Sequence, residues 1–595
     1  WNTAEKWFIK KEKNKNRSLS LANGNWIQFS LDEDGINSIK YETINEIYPS
    51  INDSDPRSFS IFTSSELGRS RTQDINQEIP ENLVEIAIDV EGEDDGSFDL
   101  NDKIIFYGRG PSGFDIIDNE IYWHQNVYFT KNTYWLFIPN NNNERGLRVQ
   151  NAINPSSVSL TLDYGISALH NENDFINLEA SGTEWVSSPI NSGNSQVVIT
   201  SLSKPKIGVD TEISARLRGF SSSESQSATH NIYLTFDNPS GQQIGGLEIW
   251  SGTGARIITN QSQLLPLNDG TNLFYINNST SDAYSSPYLD YFQIKYGRQL
   301  YFGNEFEFFS PTFNQDLRYT FSGTPSTSET IWNITNIRNP ENQTISSTNT
   351  IEIISNPNSI SRFIVFDKNN LNYVNDLNIK SGINFNTLRN SEIQANYIII
   401  GPKQFQDAAE PIIQLRSPAI YADIETIYQE FSAGNKDPMA IRSFIQWTKE
   451  YWISPEPICL LLLGDSGYDY RNITGNSTII IPTIQVQSSR TYASDDLFAT
   501  ITGNIPEIAI GRFPARNESE VLDFNNKVIA MEENPDFGAW RQLITLVADD
   551  ASRPEPQHGS IATGKSHTLN SEELANLIAS AYRKEKIYML EYPEV

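Results

Sequence analysis

Short apolar runs alternate with stretches of helical length in the last third of the chain. Six of these runs have the length of strands: residues 397–400, 419–422, 458–463, 507–510, 543–548 and 587–590. The third run, Ile458–Leu463, has no polar alternation, which is typical of a strand buried on both faces of a parallel sheet. Strands that alternate with helices at this spacing predict a mainly parallel, doubly wound α/β domain over residues 391–595.

Capping signals indicate where helices begin between these strands. Asp437–Pro438 supplies an N-cap and a proline for the first helical position ahead of an apolar stretch. Asn517–Glu520 resembles a capping box and opens a helix with one apolar face. A second box-like start, Asn570–Glu573, predicts a helix that runs to about Lys584.

The first two thirds of the chain have a different pattern, in which apolar and polar residues alternate in short runs. Turn signals separate these runs at roughly ten-residue spacing, and helical periodicity is nearly absent. This pattern predicts two β-sandwich-like modules, an N-terminal β domain over residues 1–165 and a β-sandwich domain over residues 166–390. Within the first, Gly24–Leu31 turns at Asp32–Gly35 and resumes at Ile36, which predicts a β-hairpin.

An acidic loop joins two predicted strands of the N-terminal domain. Acidic residues stand at positions 1, 3, 5, 9 and 12 of this stretch, with glycine at position 6: Glu91, Glu93, Asp95, Asp99 and Asp102. This is the spacing of a calcium-binding loop. Strands replace the flanking helices of an EF-hand, however, and Asp-Gly also forms ordinary hairpin turns. Two interpretations stay open, a calcium site and a solvated turn.

Length and charge narrow the classes of function. The 595 residues carry a formal net charge of −30, with a pI near 4.6. Nucleic acid is excluded as a main partner, because its phosphates would be repelled. No apolar run approaches the ~20 residues of a membrane-spanning helix. Since the sequence begins at Trp1 rather than methionine, we expect that an N-terminal segment, a signal peptide for export, has been removed.

Cys459 is the only cysteine, so no intrachain disulfide can form. It stands at the start of the strand Ile458–Leu463, whereas the active sites of open α/β sheets lie at the carboxyl ends of their strands. Apolar neighbours are expected to bury this thiol, raise its pKa and leave it unreactive. The sequence therefore predicts a structural cysteine rather than a nucleophile.

Six aspartates follow predicted strands at the edge of the sheet where an active site is expected: Asp465, Asp469, Asp495, Asp496, Asp549 and Asp550. His558 and His567 lie in the loop after the last two. Three roles are open to these carboxylates, namely binding a divalent cation, forming a carboxylate pair, or capping backbone N–H groups. The stretch at Gly464 lacks the lysine and spacing of a phosphate-binding loop, and the sequence has no Gly-x-Ser-x-Gly elbow.

Several of these motifs together resemble the gingipain-type cysteine peptidases, whose catalytic domain is caspase-like. The matching stretches are Leu463–Asp465, Ser494–Gly503, Ile510–Phe513 and Val547–Asp550. Further stretches are similar to the secretion sortases of that family: Gly24–Trp26, Gly92–Tyr107, Ser181–Trp185 and Phe431–Phe444. The resemblance runs nearly end to end, and its motifs are specific only in combination.

The resemblance implies an enzyme of the type IX secretion system on the extracellular face of the outer membrane of Bacteroidota-like bacteria. It would remove C-terminal secretion signals from cargo proteins and join the cargo to an anionic lipopolysaccharide. An outer-membrane β-barrel anchor and other subunits of the attachment complex would be its partners. A cysteine thiolate would attack the peptide carbonyl, a histidine would transfer protons, and backbone N–H groups would hold the oxyanion. This chemistry requires no cofactor.

In this family the catalytic histidine and cysteine lie beyond the strand that here begins at Ile587. We therefore expect both beyond Val595, with residues 391–595 an incomplete catalytic domain that is inactive by itself and whose aspartates form walls of the cleft. His558 and His567 do not match the position of the catalytic histidine. The alternative function is a surface scaffold that binds secretion partners and does not catalyse.

Overall fold

The computed structural model describes ten ranges of the chain: residues 23–71, 77–140, 145–155, 157–178, 181–219, 227–312, 315–354, 359–486, 492–549 and 565–592. The chain divides into two compact units, residues 1–521 and 522–595. Within the described ranges, no helix combines the length and the apolar character needed to cross a bilayer.

Two β-sheets form the N-terminal part of the first unit. Five strands make one sheet in the order Asn378–Lys380, Gly24–Leu31, Asn132–Pro139, Ser60–Thr63, Val84–Ile86. Four strands make the other in the order Asn372–Tyr373, Gly35–Lys40, Lys103–Gly108, Asp89–Glu91. A core that includes Ile27, Phe29, Ile104 and Phe106 draws on both sheets. The strands Asn372–Tyr373 and Asn378–Lys380 fall within the predicted sandwich domain, yet they pair with strands of the N-terminal part. The domain boundaries stay predictions.

The predicted hairpin around Asp32–Gly35 is wrong. Gly24–Leu31 pairs with Asn132–Pro139, while Gly35–Lys40 pairs with Lys103–Gly108 in the other sheet. The connecting turn therefore crosses between sheets. Asp34 anchors it, since its carboxylate is buried and bound by the Arg69 guanidinium at 2.9 Å, a contact that no local turn signal reports.

The middle region contains three sheets. The largest has nine strands, in the order Gln150–Asn151, Glu341–Asn342, Glu329–Asn333, Arg362–Asp367, Phe306–Phe309, Tyr164–Glu172, Tyr288–Gln299, Thr211–Arg218, Ala255–Gln263. A four-stranded sheet has the order Ser195–Leu202, Gly270–Asn278, Thr229–Phe236, Gln242–Ser251, and a three-stranded one the order Leu160–Leu162, Leu317–Thr320, Thr350–Ile353.

The long sheet is shared by two sandwiches. At one end, Ile213 and Phe292 pack with Ile232 and Phe274 of the four-stranded sheet. At the other, Phe308 and its neighbours pack against the three-stranded sheet. The predicted β-sandwich class is therefore correct. The β-rich part also contains the hairpin Gly113–Ile117 with Glu120–His124 and the helix Tyr41–Ile47. Between the strands of the α/β part, Ile484–Val486 pairs antiparallel with Tyr492–Ser494.

A four-stranded sheet with every neighbour parallel forms the α/β part of the first unit, and we call it the parallel sheet. Its order is Ala419–Asp423, Tyr397–Gly401, Cys459–Leu463, Ala509–Phe513. The Cys459–Leu463 strand lies between two others, and Leu460, Leu462 and Leu463 are at most 2% exposed. This burial on both faces explains the unbroken apolar run and confirms the predicted order of β modules followed by an α/β domain.

Four helices belong to the same part of the first unit: Gln406–Leu415, Ile424–Ser432, Met439–Tyr451 and Asp496–Ala499. A fifth helix, Glu518–Glu533, begins in the first unit and continues into the second. The predicted caps of two are confirmed. The Asp437 carboxylate accepts the N–H of Met439 at 2.9 Å. The Asn517 side chain accepts the N–H of Glu520 at 3.0 Å, as in a capping box, and its amide donates to the Glu520 carboxylate at 3.1 Å.

The second unit contains a helix, Lys565–Leu577, and two parallel strands, Leu543–Ala548 and Arg583–Tyr588. The predicted helix from Asn570 to Lys584 is misplaced in both directions. Asn570 lies inside the helix, and Lys584 already belongs to the second strand. That strand begins with charged, exposed residues, so the predicted run 587–590 overlaps only its last two residues.

Candidate active site at the carboxyl edge of the parallel sheet

Polar loops follow the central strands of the parallel sheet at its carboxyl edge, where open α/β sheets hold their active sites. We call residues 465–476 the carboxyl-edge loop. Its first N–H, that of Asp465, donates to the carbonyl of Ala515 at 3.0 Å, and its carbonyl accepts from Ile480 and Ile481. The loop is therefore fixed at its root to the chain that leaves the neighbouring strand.

Arg512 organises this edge. Its Nε and Nη2 donate to the two carboxylate oxygens of Asp495 at 2.7 and 2.8 Å. Its other N–H groups donate to the carbonyl oxygens of Gly464, Ile481 and Pro482 at 2.8 to 2.9 Å. All five guanidinium donors are thus used. Sequence reasoning missed this arginine, although it stands in one of the matching motifs.

Asp465 and Asp469 hold the carboxyl-edge loop together. Asp465 accepts the N–H of Ser466 at 2.9 Å and forms an ion pair with Arg516 at 2.7 Å. Asp469 is 5% exposed and accepts two backbone N–H groups and the Thr474 hydroxyl at 2.7 to 2.8 Å. Asp465 and Asp469 therefore both have the contacts of the third role considered above, capping backbone N–H groups of the loop.

The remaining candidates belong to separate elements of the two units. Asp496 is exposed at the first position of the helix Asp496–Ala499. Asp549 follows the strand Leu543–Ala548 of the second unit, and His567 is exposed on the helix of that unit. Asp550 and His558 lie outside the described residues. Nowhere in the described ranges do three or more histidine, cysteine, aspartate or glutamate residues form a group that could hold a metal.

Cys459 lies at the opposite end of the sheet from these loops. It is the first residue of its strand, and its N–H donates to the carbonyl of Asn396 at 3.2 Å. The expectation of a core thiol needs correction, because the side chain is only half-buried. Its place at the strand's amino end leaves it away from the edge where Asp465 and Arg512 lie.

Basic side chains occupy part of the acidic loop. Glu91 pairs with Lys103 at 3.0 Å. Glu93 pairs with Arg145 and Arg148, both at 2.8 Å. These two carboxylates are therefore neutralised by protein cations.

The other acids of this loop close its turns. Asp95 accepts the N–H of Ser97 at 2.9 Å, and Asp102 accepts that of Asp99 at 2.8 Å. Gly96 has a φ of +79°, a left-handed conformation that suits glycine. Burial raises the pKa of Asp102. These contacts are those of a self-supported turn, and calcium binding stays an untested alternative.

The β-rich part contacts the carboxyl-edge loop directly. Arg471 of the loop donates to Asp174 at 2.7 Å, across 297 positions of sequence. The ring of Trp185 lies 6.3 Å from that of Tyr468, and its indole N–H donates to the carbonyl of Gly182 at 3.0 Å. Gly182 and Trp185 belong to a stretch singled out only by resemblance, and the structure shows that it lies against the edge of the candidate site.

Comparison with known proteins identifies the α/β part. The model of peptidase family C25 matches residues 390–595. These residues therefore form a peptidase family C25 domain, in the gingipain family of cysteine peptidases, which confirms the family that the motifs indicated.

The crystal structure of dimeric latent PorU from Porphyromonas gingivalis shares the fold over 88% of this chain, with a TM-score of 0.72 and 18% sequence identity. The match covers 51% of the PorU chain, so this chain spans about half the length of that structure. At this level of identity the similarity establishes the fold, from the β sheets through the parallel sheet.

Carbohydrate-binding modules match a much smaller part. The xylan-binding CBM22-1 domain of Paenibacillus barcinonensis Xyn10C is 15% identical over 22% of this chain and 86% of its own, with a TM-score of 0.16. A family 35 module from Clostridium thermocellum is 16% identical over 22% and 91%, with a TM-score of 0.14. Scores this low carry no functional argument. No curated protein matches this chain.

Proposed function

We propose that this chain is part of a cysteine endopeptidase and transpeptidase of the type IX secretion system. The enzyme cleaves C-terminal secretion signals from cargo proteins and transfers the cargo to an anionic surface lipopolysaccharide. The observation that carries the proposal is the PorU-like fold along 88% of the chain, which includes the β sheets as well as the peptidase domain.

The proposed reaction has two steps. A cysteine thiolate attacks the carbonyl carbon at the junction of cargo and signal, and the signal leaves as an amine that takes a proton from a histidine. The resulting thioester is then attacked by an amine of the acceptor, which gives a proton back to the histidine, restores the thiolate and forms a new amide. Transfer rather than hydrolysis requires that the amine reach the thioester before water does.

We place the nucleophile and the acid–base histidine of this reaction outside the 595 residues. Cys459 lies at the wrong end of its strand for this role. His567 is exposed on a helix of the second unit. In this proposal Arg512, Asp495 and Asp469 shape one wall of the cleft and do not react.

The same proposal assigns the location and the partners. The enzyme acts on the extracellular face of the outer membrane, after export with a signal peptide. Its partners are secreted cargo proteins, an outer-membrane β-barrel anchor and the other subunits of the attachment complex. The PorU-like fold supports this setting.

The test uses the full-length protein and a cargo protein that carries a C-terminal secretion signal. We expect mass spectrometry to show cleavage at one bond at the start of the signal. When an amine acceptor is added, we expect the cargo to gain the mass of the acceptor. A protein that binds cargo without cleaving it would instead be the scaffold considered as the alternative.

A further inference from the structure

The strand Ser195–Leu202 lies at one edge of the middle region's four-stranded sheet, and we call it the free edge strand. On one side it pairs with Gly270–Asn278 along its whole length, without a register shift. On its other side, no strand and no hydrogen-bond partner within the described ranges occupies its backbone. A row of unpaired N–H and C=O groups is a template for another extended chain.

Alternate residues of the free edge strand direct their backbone groups away from the sheet. Asn278 donates its N–H to the carbonyl oxygen of Asn194 at 3.0 Å, and residues of an antiparallel pair alternate between bonded and unbonded positions. Ser203 follows this alternation, since its N–H donates to the Tyr296 hydroxyl at 3.2 Å and not to the neighbouring strand. The residues whose N–H and C=O groups face outward are therefore Ser195, Val197, Ile199 and Ser201.

Sequence distinguishes the free edge strand from the other long edge strands of the β-rich part. It contains no charged residue and no proline, in a chain with a net charge of −30. Charges on an edge strand discourage other chains from pairing with it. Every other described edge strand of five or more residues in this part carries a charged side chain: Asp115 in Gly113–Ile117, Glu120 in Glu120–His124, Glu248 in Gln242–Ser251 and Arg256 in Ala255–Gln263.

Apolar side chains flank the outward backbone groups. Val197 and Ile199 are 41% and 60% exposed, and they stand opposite Tyr275 and Leu273 of the neighbouring strand. Val198, between them, packs into the sandwich core. A segment placed beside the strand would set every second side chain against Val197 and Ile199. The segment that fits this edge therefore has apolar residues at alternate positions.

One end of the free edge strand lies beside the stretch of chain that contacts the carboxyl-edge loop. The Gln196 side chain donates to the Ser187 hydroxyl at 3.2 Å. Ser187 follows closely after Trp185, whose ring lies 6.3 Å from that of Tyr468 in the loop. The free edge strand and the candidate site are thus joined by one short stretch, residues 182–187.

We propose that the free edge strand docks an extended segment of the polypeptide on which the peptidase domain acts, and that this segment adds a fifth strand to the sheet. The proposal rests on the proposed function, because it takes the segment from a secreted cargo protein. Only a polypeptide backbone has N–H and C=O groups at the spacing of a strand, which favours it over a sugar or a lipid. The negative charge of the chain favours a segment that is neutral or basic.

Hydrogen exchange of the full-length protein measures this docking directly. The probe is the cargo protein with a C-terminal secretion signal that also tests the proposed function. When the cargo is added in excess, we expect the outward amides within residues 195–202 to exchange at least about tenfold more slowly, because they gain partners. The opposite edge strand, Gln242–Ser251, should not change. Unchanged exchange of residues 195–202 with cargo bound would overturn the proposal.

Two variants block the edge in different ways. Val197→Pro removes an outward N–H, and proline is tolerated on an edge strand where the N–H faces solvent. We expect this variant to bind cargo roughly tenfold more weakly in biolayer interferometry, since hydrogen bonds to the docked segment are lost. Ile199→Lys places a charge on the edge and should weaken binding in the same direction.

Ile257→Lys is the matched control. It is the same substitution as Ile199→Lys, at a residue 54% exposed on the charged edge strand Ala255–Gln263, and it should bind cargo as the wild type does. Wild-type affinity in both edge variants would overturn the proposal. So would analytical ultracentrifugation that shows self-association without cargo, lost in Ile199→Lys, because the edge would then belong to a second copy.

The binding and cleavage measurements separate this proposal from the proposed function. If both edge variants bind and cleave cargo as the wild type does, the docking proposal is wrong and the proposed enzyme stands. If cargo binds through the edge and is never cleaved, docking stands and the enzyme is wrong. Cargo that the wild type neither binds nor cleaves would contradict both.

Discussion

Gly182 approaches the carbonyl oxygen of Tyr468 so closely that no side chain fits between them. The glycine belongs to the β-rich part of the chain and the tyrosine to the carboxyl-edge loop. With a φ of +66°, the glycine also adopts a conformation that side chains disfavour. This one contact shows that the loop and the sandwich fit each other at the level of the main chain.

Gly182→Ala should therefore destabilise the first unit by about 2–4 kcal/mol, through steric overlap added to backbone strain. Gly193→Ala is the control, since Gly193 has a similar φ of +75° but open space around it. That variant should lose only about 1 kcal/mol. Calorimetric unfolding of both proteins checks the difference, and equal losses would show that the contact with Tyr468 is loose.

Arg512→Ala should cost on the order of 3 kcal/mol of stability. The substitution leaves the Asp495 carboxylate and three carbonyl oxygens without their donor in a mostly buried place. Arg516→Ala removes a second Arg–Asp pair at the same edge, but the Arg516 side chain is 74% exposed. An exposed pair contributes less than about 1 kcal/mol, so this control should unfold almost like the wild type. Similar denaturation midpoints for the two variants would contradict the organising role of Arg512.

Asp437 should make stability depend on pH. It is buried and accepts the N–H groups of Arg71 and Met439 at 3.0 and 2.9 Å. Burial raises its pKa from 3.8 to about 6. The folded protein therefore takes up this proton more readily than the unfolded chain, and the group adds stability as the pH falls from about 7 to about 4.

Asp437→Asn lacks this titration. The difference in unfolding free energy between wild type and variant should shift in favour of the wild type by about 3 kcal/mol across that interval. Urea unfolding of both proteins at several pH values measures the shift. Parallel curves would show that Asp437 titrates normally in the folded protein.

Chelator should not change the melting temperature. The carboxylates of Glu91 and Glu93 are paired with basic side chains, and those of Asp95 and Asp102 accept backbone N–H groups. Melting with and without EDTA checks this expectation. A large fall with EDTA that Asp95→Asn abolishes would establish the calcium interpretation instead.

Local pattern predicted the parallel sheet well, because burial on both faces leaves a direct trace in sequence. The run at Leu460–Leu463 has no polar position for that reason. The predicted hairpin at Asp32–Gly35 was wrong, because a turn signal reports where the chain bends and not which strands pair with each other. Asp34 is held by Arg69 and Arg362, from distant parts of the chain.

The candidate site was predicted less completely than the fold. The loops that carry Asp465, Asp469 and Asp495 lie at the carboxyl edge, as strand order suggested, and these carboxylates bind Thr474, Arg512 and Arg516 there. Arg471 and Asp174 are 297 positions apart, and only the folded chain brings them together. Pairings at this distance follow from the packing of the β-rich part on the α/β part, which no periodicity encodes.

The most direct test of the account uses a thiol-reactive peptide probe on the full-length protein. We predict that one cysteine other than Cys459 is labelled, and that Cys459→Ala is labelled to the same extent as the wild type. Peptide mapping by mass spectrometry identifies the labelled residue. Labelling of Cys459 itself, its loss in Cys459→Ala, or no labelling at all would contradict the proposed cysteine peptidase with its nucleophile outside these 595 residues.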